Sequence, residues 1–222
     1  MKPDLNYWKS RILLGVSLTY GGFYLCRLNI SVVLPEISRC FGYTKTTLGE
    51  IGSAFFICYA LGQFVNGQLG DRISPRRLIL SGLVVSSLLN IAFGFSSKIL
   101  AFIIFWGANG YFQSMGWGPS VKIVASWFSL KERGKASGIM GLAYKAGNVF
   151  SWLLAGYLIQ KMGWRWGFFV PAVILLVIGI YFFIRVKNSP MEAGLTPKKN
   201  INQSEKSIFR QGIGNPLILR IA

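Results

Sequence analysis

Six long apolar segments follow one another along the chain, and this succession constrains the fold more than any other feature. Their approximate bounds are Ile12–Ile37, Thr47–Leu69, Leu78–Phe95, Ile99–Phe128, Ala136–Gln160 and Gly167–Ile184. A helix needs about 20 apolar residues to cross the hydrocarbon core of a bilayer. Hydrophobic residues make up 52% of the chain and charged residues only 14%, which is unlike a soluble domain. The sequence therefore predicts an all-α membrane protein whose residues 1–186 form a bundle of six transmembrane helices.

The basic residues predict the orientation of this bundle. With the amino terminus in the cytoplasm, the inner segments hold Lys2, Lys9, Arg11, Arg72, Arg76, Arg77, Lys131, Arg133, Lys135 and a basic tail from Arg185. The outer loops then hold fewer basic residues, namely Arg39, Lys45, Lys98, Lys161 and Arg165. The positive-inside rule places both termini in the cytoplasm, and we expect a multi-pass protein of the cell (inner) membrane. Topology also explains most of the net charge of +17, so we expect the lipid bilayer and no nucleic acid as a partner.

One cation lies inside the first apolar segment. Arg27 falls near the middle of this segment, where an arginine costs roughly 2.5–3.5 kcal/mol on insertion scales. Such residues usually face a protein interior or an aqueous cavity and mark the path of a substrate or ion. The position of Arg27 therefore predicts a site for an anion.

Several kinds of chemistry are excluded or weakened by the composition. The chain has no histidine, which removes imidazole metal ligands and nucleophiles activated by histidine. We expect no metal, no cofactor and no enzymatic activity. None of the seven acidic residues falls at the centre of an apolar segment, so no proton-carrying carboxylate is evident. Exchange of one anion for another fits this pattern better than proton coupling.

The last part of the chain has a different composition. We expect residues 187–214 to form a cytoplasmic linker, because this stretch is polar and basic. Residues 215–222 become apolar again, which predicts the start of a truncated seventh helix. The sequence therefore looks like one half of a larger protein, and we expect a missing carboxyl-terminal half of six helices as its partner.

The loop after the second segment carries a charged motif. It contains Gly67, Asp71, Arg72, Arg76 and Arg77 in an order that resembles the signature between helices 2 and 3 of the major facilitator superfamily. Gly67 would permit close approach of the backbone, and Asp71 would pair with arginines or cap the next helix. A solvated charged turn is the alternative. The resemblance implies the amino-terminal half of a major facilitator fold, in which two inverted repeats of three helices are expected.

Four further motifs narrow the resemblance to one family. They lie at Tyr24–Asn29, Gly110–Pro119, Lys131–Gly134 and Asn188–Leu195. Together they resemble the organophosphate:phosphate antiporters, which include exchangers of glycerol 3-phosphate and hexose phosphate and related sensors. The resemblance covers residues 10–195, which correspond to half of a family member.

The resemblance also implies which residues bind substrate. Arg27 matches the first-helix arginine that binds phosphate, and Tyr20 and Tyr24 match aromatic positions of the family pocket. The spacing of these three residues places them on one helical face. Tyr59 and Gln63 form a comparable pair in the second segment. Gln63 departs from the family, which often has lysine at this position.

Lys145, in the fifth segment, would replace the cation missing at Gln63. It lies at a depth similar to that of Arg27, so both cations would converge on one anion, although snorkelling of Lys145 is the alternative. In the fourth segment, Gln113 and Trp117 follow Asn109 at successive spacings of four. We expect Gln113 and Trp117 to line the substrate path, with helix packing as the alternative.

Together with the anion site at Arg27, the resemblance implies transport of a small organic anion by alternating access. The most favoured substrate is a phosphate ester that is exchanged for inorganic phosphate. Two alternatives stay open. One is an organic carboxylate transporter, because arginine also pairs with carboxylates in bidentate geometry. The other is a membrane sensor of sugar phosphates.

Overall fold

The computed structural model describes residues 4–195 and is helical throughout its regular structure. The helices are α1 (Leu5–Phe41), α2 (Lys45–Arg72), α3 (Pro75–Phe95), α4 (Ile99–Gln113), α5 (Trp117–Trp127), α6 (Leu130–Met162) and α7 (Trp166–Arg185), followed by a single 3-10 turn at Met191–Ala193. The predicted linker of residues 187–214 is described only as far as residue 195. The predicted start of a seventh helix at residues 215–222 lies outside the described residues.

The six predicted segments all correspond to helices, but the fourth is divided. Its first part is α4 and its second part is α5, with turns at residues 114–116 between them. The backbone N–H groups of Met115 and Gly116 bond to carbonyls only three residues earlier, which tightens the chain there. Pro119 lies just beyond and has no N–H, so a regular helical bond back to Met115 cannot form. The fourth predicted segment, residues 99–128, is therefore helical at the predicted place but is not one regular helix.

The packing pattern relates the first three segments to the last three. α2 packs extensively on α4, and α6 packs in the same way on α1. α3 packs on both α4 and α7, and α7 packs on α1. Exchange of segments one, two and three for segments four, five and six leaves these pairings unchanged, although α6 also packs on α7 whereas α2 packs little on α3 in the described part of the chain. Two related repeats of three helices would produce such packing.

Two close helix crossings hold these pairs together. At Gly110 in α4, a Cβ atom would collide with the backbone carbonyl of Phe55 in α2. At Gly147 in α6, a Cβ atom would collide with the backbone carbonyl of Gly21 in α1. Small residues permit this approach because helices in membranes associate through van der Waals contact.

At one end of the bundle, an ion pair joins α1 to α6. The Nζ atom of Lys9 lies 2.7 Å from Oε2 and 2.8 Å from Oε1 of Glu132. Glu132 also forms a capping box with Ser129 at the start of α6. Hydrogen bonds from Lys9 and Ser129 lower the pKa of Glu132 from 4.5 to about 2.

The segment after α7 returns to the same end of the bundle. The Oδ1 atom of Asn188 accepts hydrogen bonds of 2.9 Å from the backbone N–H of Arg76 and 3.1 Å from Ser74 Oγ. Asn188 thereby caps α3, which is one of the two roles predicted for Asp71. The side chain of Asp71 lies outside the description. Burial opposes ionisation of Glu192, but hydrogen bonds from Asn188 outweigh it and lower the pKa of this carboxyl.

Three helices in the described part could each cross a membrane by length and composition alone, namely Lys45–Gly70, Pro75–Phe95 and Trp166–Arg185. The other predicted spans carry more polar residues or are divided. In α1, the polar side chains of Ser17, Thr19 and Asn29 are buried inside the bundle and do not face its surface. The bundle itself thus covers polar groups that would be unfavourable in contact with lipid.

Candidate anion-binding site

The site begins at a kink in α1. Cys26 has φ −98° and ψ 16°, which departs from helical geometry in the middle of the helix. A kink interrupts the regular ladder of backbone bonds and leaves a carbonyl that needs other donors. At Cys26, amides from two other helices contribute these donors.

Three amide side chains donate to the carbonyl of Cys26. They are Asn109 at 2.9 Å, Gln113 at 3.2 Å and Asn90 at 3.3 Å. All three amide residues are buried. Ser86 joins them, because its Oγ atom donates to Asn109 and accepts a 2.9 Å bond from Gln113. This polar network fixes the bend of α1 against α3 and α4.

Gln113 connects the network to Arg27. Its Oε1 atom accepts a hydrogen bond of 3.0 Å from Nε of Arg27, while its Nε2 atom faces the carbonyls of Phe23 and Cys26 and the hydroxyl of Ser86. The amide oxygen of Gln113 therefore positions the guanidinium of Arg27, while its amide nitrogen bonds to the carbonyl at the kink. The Nη groups of Arg27 make no hydrogen bond within residues 4–195. These groups are the fork with which arginine binds phosphate or carboxylate.

Aromatic rings from α1 and α2 flank the guanidinium. Its central carbon lies 4.6 Å from the ring centre of Tyr24 and 4.7 Å from that of Tyr59. Phe55 lies farther away, at 5.9 Å. Aromatic faces attract cations and restrict where the planar guanidinium can lie. Arg27 is half-buried, and no acidic side chain forms an ion pair with it in the described part of the chain.

Tyr20 extends the aromatic surface away from Arg27. Its hydroxyl lies 3.4 Å from that of Tyr24, and its ring centre lies 5.0 Å from that of Trp117 and 6.0 Å from that of Tyr144. The structure therefore brings Tyr20, Tyr24 and Arg27 together, as their spacing indicated, although Cys26 bends the helix between them.

Gln63 reaches the site through Tyr59. Its Nε2 atom donates a 2.8 Å hydrogen bond to the Tyr59 hydroxyl, and the Tyr59 ring contacts Arg27. Both residues lie on α2 and are half-buried. A lysine at this position would place a second cation beside the same tyrosine.

Lys145 lies beyond the aromatic residues. Its Nζ atom is 5.0 Å from the ring centre of Tyr144, and the Tyr144 ring is 5.3 Å from that of Tyr24. Lys145 itself is exposed on α6. Two tyrosine rings therefore separate the two cations, and the joint binding of one anion by Arg27 and Lys145 stays a prediction.

Trp117 does not share a helical face with Asn109 and Gln113. The two amide residues are buried in α4, whereas Trp117 begins α5 and is 38% exposed. The break at residues 114–116 changes the helical phase, so the spacing of four does not carry over. Trp117 nevertheless reaches the aromatic surface through its contact with Tyr20.

The charged loop lies apart from Arg27. Apart from neighbouring residues of α2 itself, no described atom lies within 4 Å of where a Cβ of Gly67 would be, so the predicted close approach does not occur inside this bundle. The guanidinium of Arg76 donates to the backbone carbonyl of Phe183 and lies 4.6 Å from the Phe183 ring. Arg72, the last residue of α2, and Arg77 are exposed, and the side chain of Asp71 lies outside the description. The role of this loop stays a prediction.

Sequence reasoning missed part of the polar network. Ser86 and Asn90 hold the kink, and Asn29 donates to Asn90 at 3.1 Å and to the carbonyl of Gly167 at 2.9 Å. Each of these residues is a polar side chain inside an apolar segment. Buried polar groups require partners, so the search for partners would have singled them out.

Comparison with known proteins decides the family. Residues 12–221 match the sequence profile of the Major Facilitator Superfamily. The chain belongs to this superfamily. The resemblance seen in the charged loop and in the helix motifs is therefore confirmed, as is the expectation that the protein is not an enzyme. The bundle is that of a multi-pass integral membrane protein.

Several members of this superfamily are about one third identical in sequence to this chain over the aligned residues. It is 33% identical over 205 residues to the "Probable hexose phosphate transport protein" of Chlamydia trachomatis, covering 92% of this chain and 45% of that protein. It is 32% identical over 203 residues to the "Glycerol-3-phosphate transporter" of Bacillus subtilis, covering 88% and 46%. It is 31% identical over 192 residues to the "Membrane sensor protein UhpC" of Escherichia coli, covering 86% and 43%. The chain thus spans about half the length of these relatives.

Solved structures agree on the fold. A bacterial homolog of the human lysosomal transporter Spinster, inward-facing and unoccupied, matches with a TM-score of 0.73 and 20% identity. The match covers 94% of this chain and 50% of that one. The peptide transporter POT in complex with sulfate also matches with a TM-score of 0.73, at 15% identity over 99% of this chain and 49% of that one. The predicted fold, half of a major facilitator bundle, is confirmed.

Proposed function

We propose that this chain is the amino-terminal bundle of a transporter for a small organic anion, and that Arg27 binds the anion. The observation that carries the proposal is the state of this arginine. It is half-buried, it is held in place through Nε by Gln113, and its Nη groups have no partner within residues 4–195. A cation inside a membrane bundle without a carboxylate partner is costly unless it serves a ligand.

The favoured substrate is a phosphate ester. The guanidinium fork matches two oxygens of a phosphate in bidentate geometry. Relatives similar to this chain are a hexose phosphate transport protein and a glycerol-3-phosphate transporter. A phosphate ester carries a charge of about −1.5 to −2 at pH 7, so it favours a site with a second cation. Lys145 is the candidate for that role.

The favoured mode of transport is exchange for inorganic phosphate. Within the described part of the chain, the two ion pairs are Lys9 with Glu132 and Arg39 with Glu36, and both lie at the ends of helices. No described carboxylate lies beside Arg27 to carry a proton. In exchange, a second anion such as inorganic phosphate would neutralise Arg27 while the site returns to the other side of the membrane, so no protonatable carboxylate is required. Alternating access would come from rocking of this bundle against a carboxyl-terminal six-helix half.

The orientation in the membrane follows from the distribution of lysine and arginine between the two ends of the bundle. We propose that both termini are cytoplasmic and that the protein resides in the cell membrane. The basic end of the bundle holds more cations, namely Lys9, Arg11, Arg72, Arg76, Arg77, Lys131, Arg133, Lys135 and Arg185, than the opposite end, which holds Arg39, Lys45, Lys98, Lys161 and Arg165.

Counterflow tests this function. The chain, joined to a carboxyl-terminal six-helix half, is reconstituted into vesicles loaded with inorganic phosphate, and uptake of labelled glycerol 3-phosphate is measured. We expect uptake that requires internal phosphate. Uptake of a monocarboxylate with no response to phosphate esters would support the carboxylate alternative instead.

A sensor is the second candidate, because the sensor protein UhpC of Escherichia coli is similar to this chain. A sensor would bind sugar phosphate with little or no uptake. Binding measured on the same purified protein separates the two, since a transporter shows both binding and counterflow.

A further inference from the structure

A groove runs along α1 on the side that faces α6 and α7. Its first section, about 600 Å³, is bordered by Tyr7 and Arg11 of α1 and by Tyr181 and Arg185 of α7. Its second section, about 610 Å³, is bordered by apolar residues of α1, α6 and α7. The two sections adjoin at Leu14, which borders both. Each volume lies within the range of about 300–1,000 Å³ typical of ligand pockets.

The first section is basic. Nη1 of Arg11 donates a 3.1 Å hydrogen bond to the Tyr7 hydroxyl, and its guanidinium carbon lies 5.0 Å from the Trp8 ring. The Nε atom of Arg11 is buried without a hydrogen-bond partner. Within residues 4–195, neither Arg11 nor Arg185 forms an ion pair, in contrast to nearby Lys9. Two uncompensated guanidinium groups thus border the same opening.

The second section has the length and chemistry of one membrane leaflet. From Leu14 to Leu25 the rise along α1 is about 16 Å, and half of a hydrocarbon core is about 15 Å. The walls are apolar side chains that include Leu18, Leu142 and Ile178. Ser17 also borders this section, and its buried Oγ atom has no hydrogen-bond partner among the described residues. An ester carbonyl would accept a hydrogen bond from this hydroxyl.

The groove is separate from the anion site. With 3.6 residues per turn, Leu14, Leu18 and Leu25 project from one side of α1. Tyr20, Tyr24 and Arg27 project from nearly the opposite side, where Arg27 contacts α2 and α4. A ligand in the groove would therefore leave the guanidinium of Arg27 accessible.

We propose that this groove binds one anionic phospholipid. The phosphate group lies between Arg11 and Arg185, and one acyl chain follows the apolar section toward Leu25. Basic pockets between membrane helices at the cytoplasmic surface favour anionic headgroups, because they add direct charge pairing to the surface potential of the leaflet. A lipid without net negative charge would leave the two guanidinium groups partly uncompensated.

Native mass spectrometry of the full chain in mild detergent tests this proposal. The probe is an equimolar mixture of phosphatidylglycerol and phosphatidylcholine, and the fraction of protein that retains each lipid is measured. We expect one retained phosphatidylglycerol. The double variant Arg11→Gln, Arg185→Gln should bind it about 30-fold more weakly, the combined effect of two basic side chains near a membrane surface.

Matched variants separate specific binding from loss of charge or fold. Lys98→Gln with Lys161→Gln removes the same charge from exposed lysines at the other end of the bundle and should leave retention unchanged. Arg11→Lys with Arg185→Lys keeps the charge and should keep most retention. Ala146→Phe places a ring in the apolar section and should lower retention.

Four outcomes would overturn the proposal. The first is equal retention of both lipids by the unmodified chain. The second is unchanged phosphatidylglycerol binding in the double glutamine variant or in Ala146→Phe. The third is displacement of the lipid by millimolar inorganic phosphate, which would show a site for free phosphate. The fourth is loss of binding when a carboxyl-terminal half is joined to the chain, which would show that this half covers the groove.

Discussion

Arg27 and Gln113 are 86 positions apart in the sequence and are joined by a 3.0 Å hydrogen bond from Nε to Oε1. The same amide donates a 3.2 Å hydrogen bond from Nε2 to the carbonyl of Cys26 at the kink of α1. The direction of the arginine fork and the bend of the helix therefore depend on one side chain. This coupling makes Gln113 a positioning residue for the proposed anion site.

Gln113→Leu should weaken both the fold and the site. It leaves buried polar groups with fewer partners, which costs about 1–3 kcal/mol of unfolding free energy. It also frees the guanidinium of Arg27 to rotate, so affinity for glycerol 3-phosphate should fall. Thermal unfolding and equilibrium binding check the two effects. Asn66→Leu is the control, because Asn66 is a buried amide that bonds to Ser114 and not to Arg27. Equal loss of affinity in both variants would contradict the positioning role.

Lys145→Gln should lower affinity for phosphate esters more than for monocarboxylates. A charge-assisted bond contributes about 1.5–3 kcal/mol, so the expected loss for the ester is about tenfold or more. Gln63→Lys should restore part of the affinity, because it places a cation beside Tyr59. Lys161→Gln is the control on the same helix. Equal losses for both ligand classes, with no rescue, would show that Lys145 does not pair with phosphate.

Stability should depend on pH through Glu132. The pKa of its carboxyl is about 2 in the folded chain, below its ordinary value of 4.5. The stabilising effect is therefore complete above pH 4.5 and is lost as pH falls toward 2. Thermal unfolding in detergent across this range should show a smaller decline in Glu132→Gln than in the unmodified chain. Glu36→Gln removes an exposed pair at the other end and should leave the decline unchanged. Identical profiles for all three proteins would argue against a stabilising Lys9–Glu132 pair.

The sequence predicted the helices and the superfamily because both depend on local patterns. Apolar runs of sufficient length indicate the spans, and the motif at Gly67–Arg77 has a fixed order. The kink at Cys26 was not predictable in this way, since cysteine is not a helix breaker and the donors to its carbonyl come from distant segments. The break before Trp117 had a local signal in Pro119, but the regular spacing of Asn109, Gln113 and Trp117 favoured a continuous helix. Tertiary contacts stabilise the kink at Cys26, whereas local backbone bonds and Pro119 account for the break before Trp117.

The most direct test of the account is equilibrium binding of glycerol 3-phosphate to Arg27→Lys, in the chain joined to a carboxyl-terminal half. Lysine keeps the charge but loses the planar fork that Gln113, Tyr24 and Tyr59 hold in place. Loss of charge-assisted bonds worth about 1.5–3 kcal/mol predicts affinity at least about tenfold weaker, with thermal stability largely retained. Affinity equal to that of the unmodified protein would contradict the assignment of Arg27 as the residue that binds the anion.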